Sequence, residues 1–108
     1  MSIPSPYARM KKDHPALMKA YEEFGLACSK AGPLDARTVA LLKLAISLGA
    51  GLEGAAHSHA RKAIEAGWTA SDLMHVATLC GPTIGFPPMM RSRGWVADVT
   101  GGSESEHA

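Results

Sequence analysis

The run Val39–Leu48, VALLKLAISL, constrains the fold more than any other stretch of this chain. Eight of its ten residues are apolar, and the two polar ones, Lys43 and Ser47, make no broad wet face. A helix that is apolar nearly all round must be surrounded. Four short neighbours from a chain of 108 residues can hardly do that alone. Partner subunits covering one side, in a symmetric homo-oligomer, are therefore expected; the alternative is a central helix in a compact monomer.

The segments on either side read as helices too. Asp13 with Pro15 makes a helix start, and Pro15–Ser29 follows with Leu17, Tyr21, Phe24 and Cys28 at three- and four-residue steps. Ala31-Gly32-Pro33 ends it. Asp35 caps the apolar helix, which runs to about Leu48 with Gly49 as its stop. A third helix fits Leu52–Ala66, closed by Gly67. Thr69 followed by Asp72 is a capping-box variant that opens a fourth helix, reaching about Cys80 before Gly81-Pro82 disturbs it. Pro87-Pro88 suits the first turn of a fifth helix through roughly Val99, with Phe86-Pro87-Pro88 setting its entry angle. The end, from residue 101 to 108, reads as a flexible polar tail after a single domain over residues 1–100. No alternating strand pattern and no internal repeat is present. An all-α bundle of about five helices is expected.

Composition removes several function classes. The formal charge is +1 and no Lys/Arg run exceeds two residues, so nucleic-acid binding has little electrostatic support. No apolar run approaches the roughly 18 residues of a membrane span. MSIPSPYARMKKDH is mostly polar and lacks the charged-then-apolar order of a secretory signal. Cys28 and Cys80 lie far apart and match no metal or dithiol spacing. A cytoplasmic protein with reduced thiols is the expectation.

The chemistry-bearing stretch is Gly51–Gly67, GLEGAAHSHARKAIEAG. At about 100° per residue, Leu52, Ala55, Ala56, His59 and Ala63 share one stripe, so His59 points inward. Glu53 and His57, four apart, share a flank between core and solvent and can hydrogen-bond each other. His57 and His59 are nearly opposite across the helix axis. The HSH string therefore cannot chelate one metal by itself, and no metal set is assigned; a zinc site would need ligands from elsewhere.

Read through to TASDLMHVATL, this segment resembles the signature of the carboxymuconolactone decarboxylase family, which includes the alkylhydroperoxidase D proteins. The resemblance rests on a histidine followed by a basic, alanine-rich stretch, HARKAIEAG, then a threonine-capped acidic helix start. The preceding LDARTVALLKLAISLGAG is similar to the helix leading into the family's site, and the likeness covers roughly Leu34–Val99. It implies an alkylhydroperoxidase D-like all-α bundle, assembled as homotrimers or homohexamers, with sites near subunit contacts. Peroxidase members carry Cys-x-x-Cys with a histidine four residues on. Aligning that histidine with His59 puts the thiol positions at Leu52 and Ala55, and the acidic residue twelve positions before the first thiol at Ala40. Leucine and alanine can neither attack a peroxide nor resolve a sulfenate. Cys80, sharing a helical face with Leu73, Val76 and Ala77, reads as a buried small hydrophobe.

What remains is acid–base equipment of the kind the family's decarboxylase branch uses without cofactor. It needs a positive anchor for a carboxylate and a proton donor in a partly dry pocket. The resemblance makes His59 the proton-transfer residue. His57 is a candidate second donor with Glu53 fixing its tautomer, and Lys43, Arg91 or Arg93 are candidate anchors for a small anionic substrate. Structural alternatives stay open: His59 as a core histidine bonded to a backbone carbonyl, Glu53–His57 as a surface pair, and Lys43 snorkelling its ammonium to water. His75, opposite the apolar face of its helix, should meet solvent or a subunit contact. Met89, Met90, Trp95 and Val96 read as packing or oligomer contacts. Three functions compete: a lyase or isomerase without cofactor, a thiol peroxidase disfavoured by the absent cysteine pair, and a non-catalytic ligand-binding oligomer.

Overall fold

A computed structural model describes residues 5–101. They form seven helices and no strand, in two compact units that divide between Leu34 and Asp35. The all-α expectation holds, while the helix count rises from five to seven. Apart from Gly101, the expected polar tail lies outside the described residues.

The first unit holds α1, Pro6–Asp13, and α2, Pro15–Ser29. Helix α1 was not expected from its polar sequence. It forms because the Ser5 side chain accepts from the Ala8 amide at 3.1 Å and Pro6 occupies the first turn. It ends where Pro15 forbids helical geometry to the residue before it: His14 sits at φ −137°, ψ 69°. His14, rather than Asp13, is thus the N-cap of α2. The Tyr7 hydroxyl donates to Glu22, and the Lys11 ammonium lies 3.3 Å from the same carboxylate, tying α1 to α2. Leu17, Tyr21, Phe24 and Cys28, whose three- and four-residue spacing marked the helix, are exposed; Met18 is the buried residue of α2. Two helices offer each other too little surface to enclose a stripe that wide.

The second unit runs α3, Ala36–Ala50; α4, Glu53–Glu65; α5, Ala70–Thr78; α6, Cys80–Ile84; and α7, Phe86–Thr100. Asp35 caps α3 as expected, its carboxylate accepting from the Thr38 amide at 2.7 Å. The stop, however, is Gly51 and not Gly49. Gly51 takes the left-handed φ of 73°, the Gly51 amide donates to Leu48 O, and the Leu52 amide donates to Ser47 O. Those two bonds close a Schellman turn. Thr69 and Asp72 make the expected capping box at α5. That helix stops at Thr78, short of Cys80, and the chain restarts as the short α6, where Pro82 falls in the first turn and needs no amide partner. Pro87 and Pro88 open α7 in the same way.

The core of this unit comprises Leu44 and Leu48 of α3, Ala56, Ala60 and Ala63 of α4, Leu73 and Ala77 of α5, and Val96 of α7. The α4 contribution is all alanine, and small side chains let neighbouring backbones come close. Both α3 and α7 pack directly against α4. Opposite this core α3 keeps an open flank, with Leu42 42% and Ile46 69% exposed. No helix among the described residues is long and apolar enough to cross a membrane.

Candidate functional site

The Gly51 turn aims α4. Leu52 follows it as an extended N-cap with no side-chain cap bond, and Glu53 is the first helical residue, where a carboxylate favours the helix dipole. The buried stripe of α4 then runs Ala56–Ala60–Ala63. His59 was expected near the middle of the stripe; it lies at its edge, half-buried. The buried stripe is displaced from the expected one: Leu52 is exposed, while Ala60 is buried.

That edge position gives His59 a distinctive electrostatic setting. Burial, then the charge of Lys62, then that of Lys43, hold its imidazole below the ordinary histidine range. Among the described residues, no hydrogen bond is among the causes of this shift. Lys62 lies one turn further along α4, and Lys43 reaches over from α3, itself half-buried. Burial and two cations thus act on the same ring, all three disfavouring its charged form.

His57 belongs to a different group. Its Nε2 lies 3.0 Å from Oδ2 of Asp98, on the last turn of α7. The side chain expected to hold His57 was Glu53, and the hydrogen bond goes to Asp98 instead. Glu53 stands close by all the same: one ligand atom each from Glu53, His57 and Asp98 lie within 4.8 Å of one another. His57 is 23% and Asp98 57% exposed. Asp98 went unremarked in the sequence. It is 41 residues from His57, and no local spacing could have joined them.

The three candidate anchors are dispersed. Lys43 accompanies His59. The Arg91 guanidinium lies against Gly51, about 3.2–3.4 Å from where a Cβ would stand, and 5.1 Å from the Trp95 ring centroid. Arg93 donates from Nη1 to the Thr78 hydroxyl at 2.7 Å, bracing α7 against α5. Another arginine, Arg37, lies 3.8 Å from the Trp68 ring centroid, while the Trp68 indole donates to the Arg37 carbonyl at 2.7 Å. This clamp joins the start of α3 to the α4–α5 turn.

The unit also has an apolar hollow of ≈ 200 Å³, lined by Ala45, Gly49, Val76, Leu79, Cys80, Thr83 and Ile84. Cys80 is buried, its Sγ 3.6 Å from the Ser92 hydroxyl, as expected of a small packing residue. His75 is exposed, in keeping with its assignment to solvent or a subunit contact.

The model of the carboxymuconolactone decarboxylase family matches residues 15–98. No curated protein and no solved structure matches the chain.

Proposed function

From the premise that the chain belongs to the carboxymuconolactone decarboxylase family, we propose that it carries out acid–base chemistry without a cofactor, decarboxylation or isomerisation, on a small anionic substrate. His59 moves the proton. The observation that carries this reading is the half-buried His59 ring, lowered in basicity by burial, Lys62 and Lys43. An incoming carboxylate pairs with Lys43 and offsets both cations, so the ring regains basicity as substrate binds. The imidazolium then delivers its proton to the carbon whose bond electrons are released when carbon dioxide departs. Peroxide reduction by the family's thiol-pair route lacks its thiols, since Leu52 and Ala55 stand in those positions.

A homo-oligomer is part of the proposal. The exposed Leu42 and Ile46 extend the apolar surface of α3 beyond what its own unit covers, and a second copy is the expected cover. One observation favours a second reading, a ligand-binding oligomer without turnover: the apolar hollow beside Cys80 has neither His57 nor His59 in its lining and suits an uncharged guest.

The test is His59→Ala against a panel of small unsaturated lactone acids, followed by carbon dioxide release and loss of ultraviolet absorbance. Turnover should fall by a factor of about 10² or more, with far-UV circular dichroism and elution volume unchanged. Lys43→Gln should instead act mainly through KM. Turnover by His59→Ala within threefold of the parent, or saturable binding with no chemical change in the parent, removes the acid–base reading.

A further inference from the structure

We propose that Glu53, His57 and Asp98 form a binding site for a first-row divalent cation, pinning the start of α4 to the end of α7. The proposal goes beyond the acid–base reading, because it concerns the side of α4 turned away from His59 and assigns no proton transfer.

The donor set comes first. One imidazole nitrogen and two carboxylates suit a borderline ion such as Zn²⁺ or Mn²⁺, and three protein ligands leave coordination positions for water or an anion. The geometry agrees. Around an ion with bonds of about 2.1 Å, adjacent donors stand about 3.0 Å apart in an octahedron and about 3.4 Å in a tetrahedron. The His57 Nε2 to Asp98 Oδ2 separation is 3.0 Å, already the edge such an ion requires. The full set lies within 4.8 Å. Glu53 is exposed at the first position of α4, so rotation of its side chain supplies the remaining closure without moving backbone.

The scaffold is the second element. Glu53 and His57 are one turn apart on one helix, which fixes their spacing. Asp98 approaches because α7 packs on the alanine face of α4, two residues beyond the fully buried Val96. The site is thus built from two helices whose relation is set by the core, and the outside ligand that the HSH string needed comes from α7.

The readout is metal binding itself, on the full chain freed of metal by chelator. Calorimetric titration with Zn²⁺, and Mn²⁺ titration followed by electron paramagnetic resonance, should each give one ion per chain. Asp98→Asn and Glu53→Gln, both near-isosteric, should each weaken binding by about tenfold or more, while His75→Gln leaves it unchanged. Zn²⁺ should also raise the melting temperature of the parent and not that of Asp98→Asn. If Asp98→Asn is unfolded by circular dichroism, Glu53→Gln carries the same expectation. Absence of one-to-one binding, or a loss in the folded carboxylate variants smaller than tenfold, overturns the proposal. Such a failure leaves the His59 reading untouched, since no turnover is measured.

Discussion

Gly51 makes a quantitative claim about how α4 is aimed, and Gly51→Ala puts it at risk. The residue holds φ 73° in the Schellman turn that ends α3. An alanine in left-handed conformation costs roughly 1–2 kcal/mol. The new Cβ would also stand 3.2 Å from Arg91 Nη2, 3.3 Å from Cζ and 3.4 Å from Nη1. These atoms end a flexible side chain, so the guanidinium retreats rather than the backbone. Retreat loosens its contact with Trp95, at 5.1 Å, worth about 0.5–1 kcal/mol at an exposed site. The total, about 1.5–3 kcal/mol, corresponds to a melting temperature lower by roughly 6–24 °C for a domain of this size.

The reference is Gly94→Ala. Gly94 lies inside α7 and a Cβ there meets nothing within 4 Å, so relief of backbone entropy should stabilise by about 0.5–1 kcal/mol. Thermal melts by far-UV circular dichroism, all at one protein concentration, should therefore move in opposite directions. The Arg91→Ala background separates the two contributions: there Gly51→Ala should cost only the backbone share. If Gly51→Ala melts no lower than the parent, the left-handed turn is not as described; if it costs the same with and without Arg91, the guanidinium contact is not.

Two further outcomes are expected. Thr69→Ala removes the hydroxyl that accepts from the Asp72 amide at 3.0 Å and should cost about 1 kcal/mol, read as the shift of the urea midpoint at unchanged m-value. The depressed basicity of His59 means that the folded chain binds fewer protons than the unfolded one near the histidine range. The stability tied to its neutral ring is complete above pH ~6.5 and is lost as pH falls through the folded value. Between pH ~7.5 and ~5.5 the parent should therefore lose more melting temperature than His59→Gln; parallel losses would refute the assignment.

Where structure was legible in the sequence, the determinants were local. Asp35 with Thr38 and Thr69 with Asp72 are caps closed within three residues, and both helix starts fell where they were read. The misreadings also have local causes. Gly49 and Gly51 are equally able to stop a helix, and the choice went to the one that closes both Schellman bonds. In α1 a serine cap and a proline start make a helix from residues with no apolar face, and none of them is buried. Helix α6 shows that Gly81-Pro82 reorganises a helix without ending helical structure. Tertiary pairings were not legible. Asp98, Arg93 with Thr78, and Arg37 with Trp68 meet only because core packing brings their helices together.

The HSH string itself shows why the function was hard to read. The buried alanines define the axis of contact, and about 100° per residue sets His59 on one edge of that stripe and His57 on the other. Each edge faces a different neighbour. On the His59 side it is α3, which brings Lys43; on the His57 side it is α7, which brings Asp98. A cation beside one ring lowers its basicity and favours an anionic guest, while a carboxylate beside the other favours a cation. Two imidazoles separated by one serine therefore acquire opposite electrostatic partners from the packing of a single alanine face. A substitution that widens this face, such as Ala60→Leu, should disturb both at once, whereas Lys43→Gln and Asp98→Asn should each disturb one, and the separation of those effects is what two distinct sites require.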